Sequence, residues 1–335
     1  MRNPPGTNRF RARALALLLL LAPLAAVACG RLTIANMNWP SAEVLAHIDR
    51  FILNNGYGCQ AEFIPGDTLP TLTSMMEKGQ PDVAPEAWIN GVREPLERAV
   101  AAGRLHLAVK SLRDGGIDGW WIPKFVADAN PQIRSIADAL KRPDLFPAPE
   151  DRSKGAVHNC PAGWNCQIIT ANLFKAHGGA AKGFVLVDTG SAAGLDGSIA
   201  RAHERRLPWL GYYWAPTAIL GKYPMVRLSE GVPHDAGEWK RCTSKADCAD
   251  PKPNAWLPGE VHTVVTARFR HAGGPGYEYL SRRSWDNATV GALLSWMLDK
   301  QATGEEGARH FLRTRPELWT PWVDAAVAAR VRAAL

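Results

Sequence analysis

An indole face suits an organic cation that has no N–H to donate, and this chain carries 13 Trp against 9 Phe and 6 Tyr. Trp209, Trp239, Trp256, Trp285, Trp296, Trp319 and Trp322 are assigned to core or surface packing. Trp164 stands apart. It lies in residues 159–166 (NCPAGWNC), which run straight into QIITANLFKAHGG, a helical pattern ending at Gly178 and Gly179. A small ring closed by Cys160 and Cys166 at a helix start turns Trp164 and the free N–H groups of the first turn the same way. Those donors suit a carboxylate and the indole suits a cation, so one loop has chemistry for both ends of a zwitterion.

The elements that must position these residues read as alternating strand and helix. Residues 32–36 (LTIAN) and 61–65 (AEFIP) look like strands, joined by a helix through 42–53 that Ser41 caps and Asn55-Gly56 ends. Asp67 or Thr68 caps a second helix, and 82–85 (DVAP) forms a short strand leading to Trp88. This alternation argues for an α/β fold with a mostly parallel sheet. Trp88 and Trp214 each end a strand-like run and Trp39 follows another, and open α/β sheets bind ligands outside the carboxyl ends of their strands. The pattern changes at 117–123 (IDGWWIP), where Trp120 and Trp121 are candidates for a fourth wall, and a second α/β segment follows. Residues 232–258, rich in Pro, charge and Cys, read as a long surface excursion. Residues 31–118 plus 259–335 are expected to form one lobe and 119–258 the other, with a cleft between them. Asp82 and Glu86 are expected to be structural or solvated.

Arg2, Arg9, Arg11 and Arg13 precede residues 14–22 (ALALLLLLA) and 24–28 (LAAVA), the pattern of a secretory signal peptide over 1–28. Its removal turns 39 basic against 32 acidic residues (+7) into 35 against 32 (+3), which is no phosphate-binding surface, so no nucleic-acid partner is expected. Export permits disulfides. The six cysteines give two pairs of one spacing, Cys160 with Cys166 and Cys242 with Cys248. Cys29 and Cys59 each head a strand-like run. If those strands are parallel neighbours, the two cysteines begin them at the same end, and a disulfide is favoured over the alternative of a lipid anchor on Cys29. His158 lies near the first pair, but no further Cys or His set completes four ligands, so no metal is expected. Residues 190–194 (GSAAG) place the serine wrongly for a nucleophile elbow, and no phosphate loop or zinc-protease motif occurs. The chain is therefore not read as an enzyme, a secreted hydrolase being disfavoured, and no cofactor is called for.

With these pieces placed, the sequence resembles the substrate-binding proteins of ABC importers for glycine betaine, proline betaine and choline, from about residue 31 to the C-terminus. The matching pieces are NCPAGWNC, EAWING around Trp88, GYYWAPTA around Trp214 and GYGC after the first helix. The resemblance implies a two-lobed, type II-like periplasmic binding-protein fold with its ligand cleft between the lobes. It implies a quaternary ammonium in a box of tryptophans, mapping onto Trp88, Trp164 and Trp214, with backbone N–H groups of Asn165 and Cys166 as carboxylate donors. The partners implied are the ligand and ABC permease subunits at the membrane, for a monomer in the periplasm. A periplasmic ligand-binding component of a sensory system is the alternative.

Overall fold

Short apolar runs of the kind that end at Trp88 and Trp214 form ten strands, in a computed structural model that describes Met1 and residues 29–335. Residues 2–28, read above as part of a signal peptide, lie outside the described residues. In chain order the strands are β1 (Arg31–Met37), β2 (Gln60–Gly66), β3 (Val83–Trp88), β4 (Leu105–Lys110), β5 (Ile117–Pro123), β6 (Gly155–His158), β7 (Phe184–Val187), β8 (Gly211–Ala215), β9 (Met225–Arg227) and β10 (Val261–Thr266). They make two five-stranded sheets, ordered β2-β1-β3-β10-β4 and β7-β6-β8-β5-β9. In the first, β1 runs parallel to β2 and β3, and β10 lies antiparallel between β3 and β4. In the second, β6 runs parallel to β7 and β8, and β5 is antiparallel to β8 and β9. The fold is α/β and two-lobed, with helices packed on both sheets.

The helix Pro40–Tyr57 follows β1 directly. Val44, Leu45, Ile48 and Ile52 form its buried stripe against Leu32, Ile34, Phe311 and Trp319 of the same core. It begins one residue before Ser41, whose hydroxyl donates to Glu86 instead of capping. It ends at Gly58, in the left-handed region at φ 71°. Gly56, read above as part of the stop, serves helix packing: a Cβ there would stand 2.7 Å from Val327 Cγ1. Arg283 and Asp49, both fully buried, join this helix to the C-terminal returning segment through hydrogen bonds of 2.9 and 2.8 Å, with Tyr279 Oη donating to Asp49 at 2.6 Å. Arg283 also reaches Thr263 Oγ1 on β10, tying the pair to the sheet.

The chain crosses between the sheets twice, and the crossings pair with each other: Gly116 N donates to Gly259 O at 2.9 Å and Gly259 N to Gly116 O at 2.7 Å. Ile117 and Asp118 already belong to β5, opposite Ala215 and Trp214, so the first crossing precedes residue 117. Residues 232–258 are more than a surface excursion. Trp239, Cys242, Thr243, Asn254 and Trp256 are buried, and Asn172 on the helix Asn165–Ala176 donates to the carbonyls of Cys242, Thr243 and Lys245. The disulfides are Cys29–Cys59, Cys160–Cys166 and Cys242–Cys248, with Cα separations of 5.0, 6.1 and 5.1 Å. The first rests on the parallel register that sets Arg31 opposite Gln60.

Candidate ligand-binding site

Strand ends converge from both sheets on one cavity walled by Trp39, Trp88, Trp164 and Trp214. Trp39 follows β1, Trp88 ends β3, Trp214 lies one residue before the end of β8, and Trp164 precedes the helix Asn165–Ala176 that follows β6. Trp164 stands nearly perpendicular to two neighbours, at 73° and 5.4 Å from Trp39 and at 83° and 5.1 Å from Trp214. Walls meeting near right angles enclose a corner lined by indole, and an indole face attracts a cation. Asn165, Cys166, Thr68, Tyr212 and Asp118 complete the lining.

The indoles are held by their N–H groups. Trp39 Nε1 and Trp88 Nε1 both donate to Glu86 Oε1, at 2.8 and 3.1 Å, and Ser41 Oγ donates to the same oxygen at 2.8 Å. Strand alternation puts Glu86 and Trp88 on one face of β3. Glu86 is fully buried and its Oε2 has no partner among the described residues. Burial pushes its carboxyl above the ordinary range, while the three donors and the more distant Arg283 pull it back. Trp164 Nε1 donates across the cleft to Asn38 Oδ1 at 2.7 Å. The Trp88 ring fits because both crossings are glycine there. A Cβ on Gly116 would lie 2.1 Å from its Cη2 and Cζ3, and one on Gly259 2.8 Å from Cζ3.

Asn165 and Cys166 occupy the first turn of their helix, and their N–H groups have no acceptor among the described residues. Asn165 Nδ2 donates to Trp88 O at 2.9 Å, and Leu69 N donates to Gly163 O at 3.0 Å, so the Cys160–Cys166 ring is docked on the facing lobe. Gly163 adopts φ 89°, and a Cβ there would also crowd Asp67 Oδ2 at 2.9 Å. Asp118 is buried and accepts a hydrogen bond from Tyr212 Oη at 2.5 Å. Burial raises its carboxyl to about 6, against the opposing pull of Tyr212 and Arg227. The same burial, with Asp118 beside it, pushes the Tyr212 phenol well above its ordinary value.

Of the eight residues singled out in the sequence, Trp39, Trp88, Trp164, Trp214, Asn165 and Cys166 meet at this cavity. Trp120 and Trp121 do not. Trp120 shares its face of β5 with Asp118 but is paired with Tyr212, one step deeper, and is wholly enclosed in the core. Trp121 points to the opposite face and donates to Tyr213 O at 2.9 Å. Two lining residues, Asp118 and Tyr212, are additions. Tyr212 stands two residues before Trp214, so alternation alone would have placed it on the same face. Asp118 arrives through the antiparallel register that sets it opposite Trp214, for which no local signal exists. Thr68, read as a possible cap, also faces the cavity.

Two lobes, paired crossings and a cavity between strand ends are the architecture of a two-lobed binding protein. The chain belongs to the family described as the substrate binding domain of the ABC-type glycine betaine transport system, whose model matches residues 30–314. Among solved structures it is similar to an ABC-transporter choline binding protein in complex with choline. The TM-score is 0.72 at 18% identity, covering 91% of this chain and 98% of that one. It is also similar to a glycine betaine/L-proline-binding protein from Borrelia burgdorferi, at TM-score 0.69 and 17% identity over 90% and 99%. A lactococcal protein in a closed-liganded conformation with glycine betaine matches at TM-score 0.66 and 15% identity over 88% and 100%. These likenesses confirm the fold.

Proposed function

We propose that this protein captures a quaternary ammonium solute, of the glycine betaine, proline betaine or choline kind, in a box of Trp39, Trp88, Trp164 and Trp214, and delivers it to the permease of an ABC importer. The observation that carries this reading is the convergence of four indoles from both lobes on one cavity, two of them fixed by a single buried carboxylate oxygen. A desolvated cation–π contact contributes roughly 2 kcal/mol. Three or four of them, with one or two hydrogen bonds to the rest of the ligand, are of the size needed to leave the ~8 kcal/mol of micromolar binding after association costs.

Residues 31–116 with 259–335 and residues 117–258, the boundary set by β5 rather than at residue 118, would move as bodies, turning about the paired glycines Gly116 and Gly259. The Trp164–Asn38 and Asn165–Trp88 hydrogen bonds then belong to the closed state. The expected location is the periplasm after removal of residues 1–28. Pairing of Cys29 with Cys59 favours a chain without a lipid anchor. Isothermal titration with a panel of quaternary ammonium compounds and neutral amino acids tests the reading: micromolar binding confined to the quaternary compounds is expected, and a folded protein that binds none of them refutes it.

A further inference from the structure

Resting on the quaternary ammonium reading above, we infer that the cavity is built for a quaternary ammonium alcohol, such as choline, in preference to a quaternary ammonium carboxylate, and that Asp118 makes the choice. Of the side chains lining the cavity, Asp118 alone is ionisable in the acid-to-neutral range, and no Lys, Arg or His lines it among the described residues. A second carboxyl, Glu86, stands buried behind Trp39 and Trp88 with one oxygen unpartnered among the described residues. The electrostatic complement of this site is a net cation. A betaine is neutral overall and brings its own carboxylate into a cavity that already holds one. Against that repulsion it would find the N–H groups of Asn165 and Cys166 but no side-chain cation.

The hydrogen-bonding inventory points the same way. Tyr212 Oη occupies Asp118 Oδ1, and no described group donates to Oδ2. A hydroxyl can donate to that oxygen and can accept from a helix N–H, whereas a carboxylate can only accept. Arg227, whose charge acts on Asp118, is paired with Glu230 at 2.5 Å and is not part of the lining.

The test compares choline, glycine betaine and tetramethylammonium by isothermal titration at pH 7.5. Choline is expected to bind the wild-type protein about tenfold or more tighter than glycine betaine, the size of one hydrogen bond to a charged group. Asp118→Asn, which keeps the shape and an acceptor for Tyr212, should weaken choline about tenfold and tighten glycine betaine, because the carboxylate that repels it is gone. A pH series on the wild type needs no variant: choline affinity should fall as pH drops through about 6, where Asp118 gains a proton. The other charged or titratable groups around Asp118 are Tyr212 on β8, whose phenol is pushed well above its ordinary value, Arg227 on β9, and Glu86 behind the Trp88 ring on β3. Tetramethylammonium, which has the charge without the hydroxyl, should follow choline in the pH series but bind more weakly.

Glycine betaine binding as tightly as choline, or a choline-to-betaine ratio unmoved by Asp118→Asn and by pH, overturns the inference and leaves the quaternary ammonium reading standing. Failure of all three compounds to bind folded protein overturns both.

Discussion

A tryptophan serves a cation only when its face is turned toward it, and for Trp39 and Trp88 that orientation depends on Glu86 Oε1. Glu86→Ala would leave two indole N–H groups and the Ser41 hydroxyl without their acceptor, each costing about 1–3 kcal/mol if it stays buried. We therefore expect Glu86→Ala to lower the thermal midpoint and to weaken ligand binding together, with Glu86→Gln retaining more of both because one acceptor oxygen remains. Thermal melts and titrations on the same samples check this, and an affinity unaffected by Glu86→Ala would show that the indoles hold their positions without it. Trp→Ala at Trp88, Trp164 or Trp214 should weaken binding by ~10-fold or more, since each removes a contact of roughly 2 kcal/mol. Trp319 is the control. It is enclosed in the core with Nε1 donating to Leu312 O, so Trp319→Ala should cost about 3–5 kcal/mol of stability and leave the affinity of the folded fraction nearly unchanged.

Two short elements set the tolerances of the box. The Cys160–Cys166 ring presents Trp164, Asn165 and Cys166 together, and opening it with Cys160→Ser and Cys166→Ser should reduce affinity more than stability, because the ring closes only a small loop. Titration and denaturant melts of the double variant separate the two effects. The glycine crossings are the other element. Gly116→Ala would place a methyl 2.1 Å from the Trp88 ring, so the ring or the crossing must shift. A loss of affinity is expected there, while Gly291→Ala, whose Cβ would meet nothing within 4 Å, should leave affinity unchanged. Equal binding by wild type and Gly116→Ala would show that Trp88 is not confined in this way. Intact mass of the exported chain should show three disulfides and no lipid adduct on Cys29.

At the scale of the whole molecule, the lobes meet through groups that also make the site. Trp164 reaches Asn38, Asn165 reaches Trp88, and Trp239 Nε1 donates to Asn90 O at 3.0 Å from the 232–258 segment. Lys240 and Lys245 of that segment face Glu94 at 3.5 and 3.3 Å, but exposed pairs of this kind contribute little. A ligand that bridges both lobes can shift the molecule toward this arrangement only by binding it better than the open one. Small-angle scattering should therefore show a smaller radius of gyration with a tight ligand than without, and an unchanged radius would argue against a clamp.

What was legible in the sequence was whatever local chemistry determines. Alternating apolar periodicity specified α/β elements, the even cysteine spacing and the two strand starts specified the disulfides, and the strand-end positions of Trp39, Trp88 and Trp214 marked them for a cleft. The NCPAGWNC loop declared itself because ring, indole and helix start are contiguous. The tertiary structure alone decided which distant residues share the cavity. Asp118 enters because the antiparallel register of β5 and β8 sets it opposite Trp214, and Trp120, two residues on, is carried by the same register into the core. Glu86 becomes the anchor of two indoles because β1 and β3 are neighbours in the sheet, bringing Trp39 within 2.8 Å of a carboxylate 47 positions away. Periodicity tells which face a side chain takes; only the pairing of strands tells what it meets there.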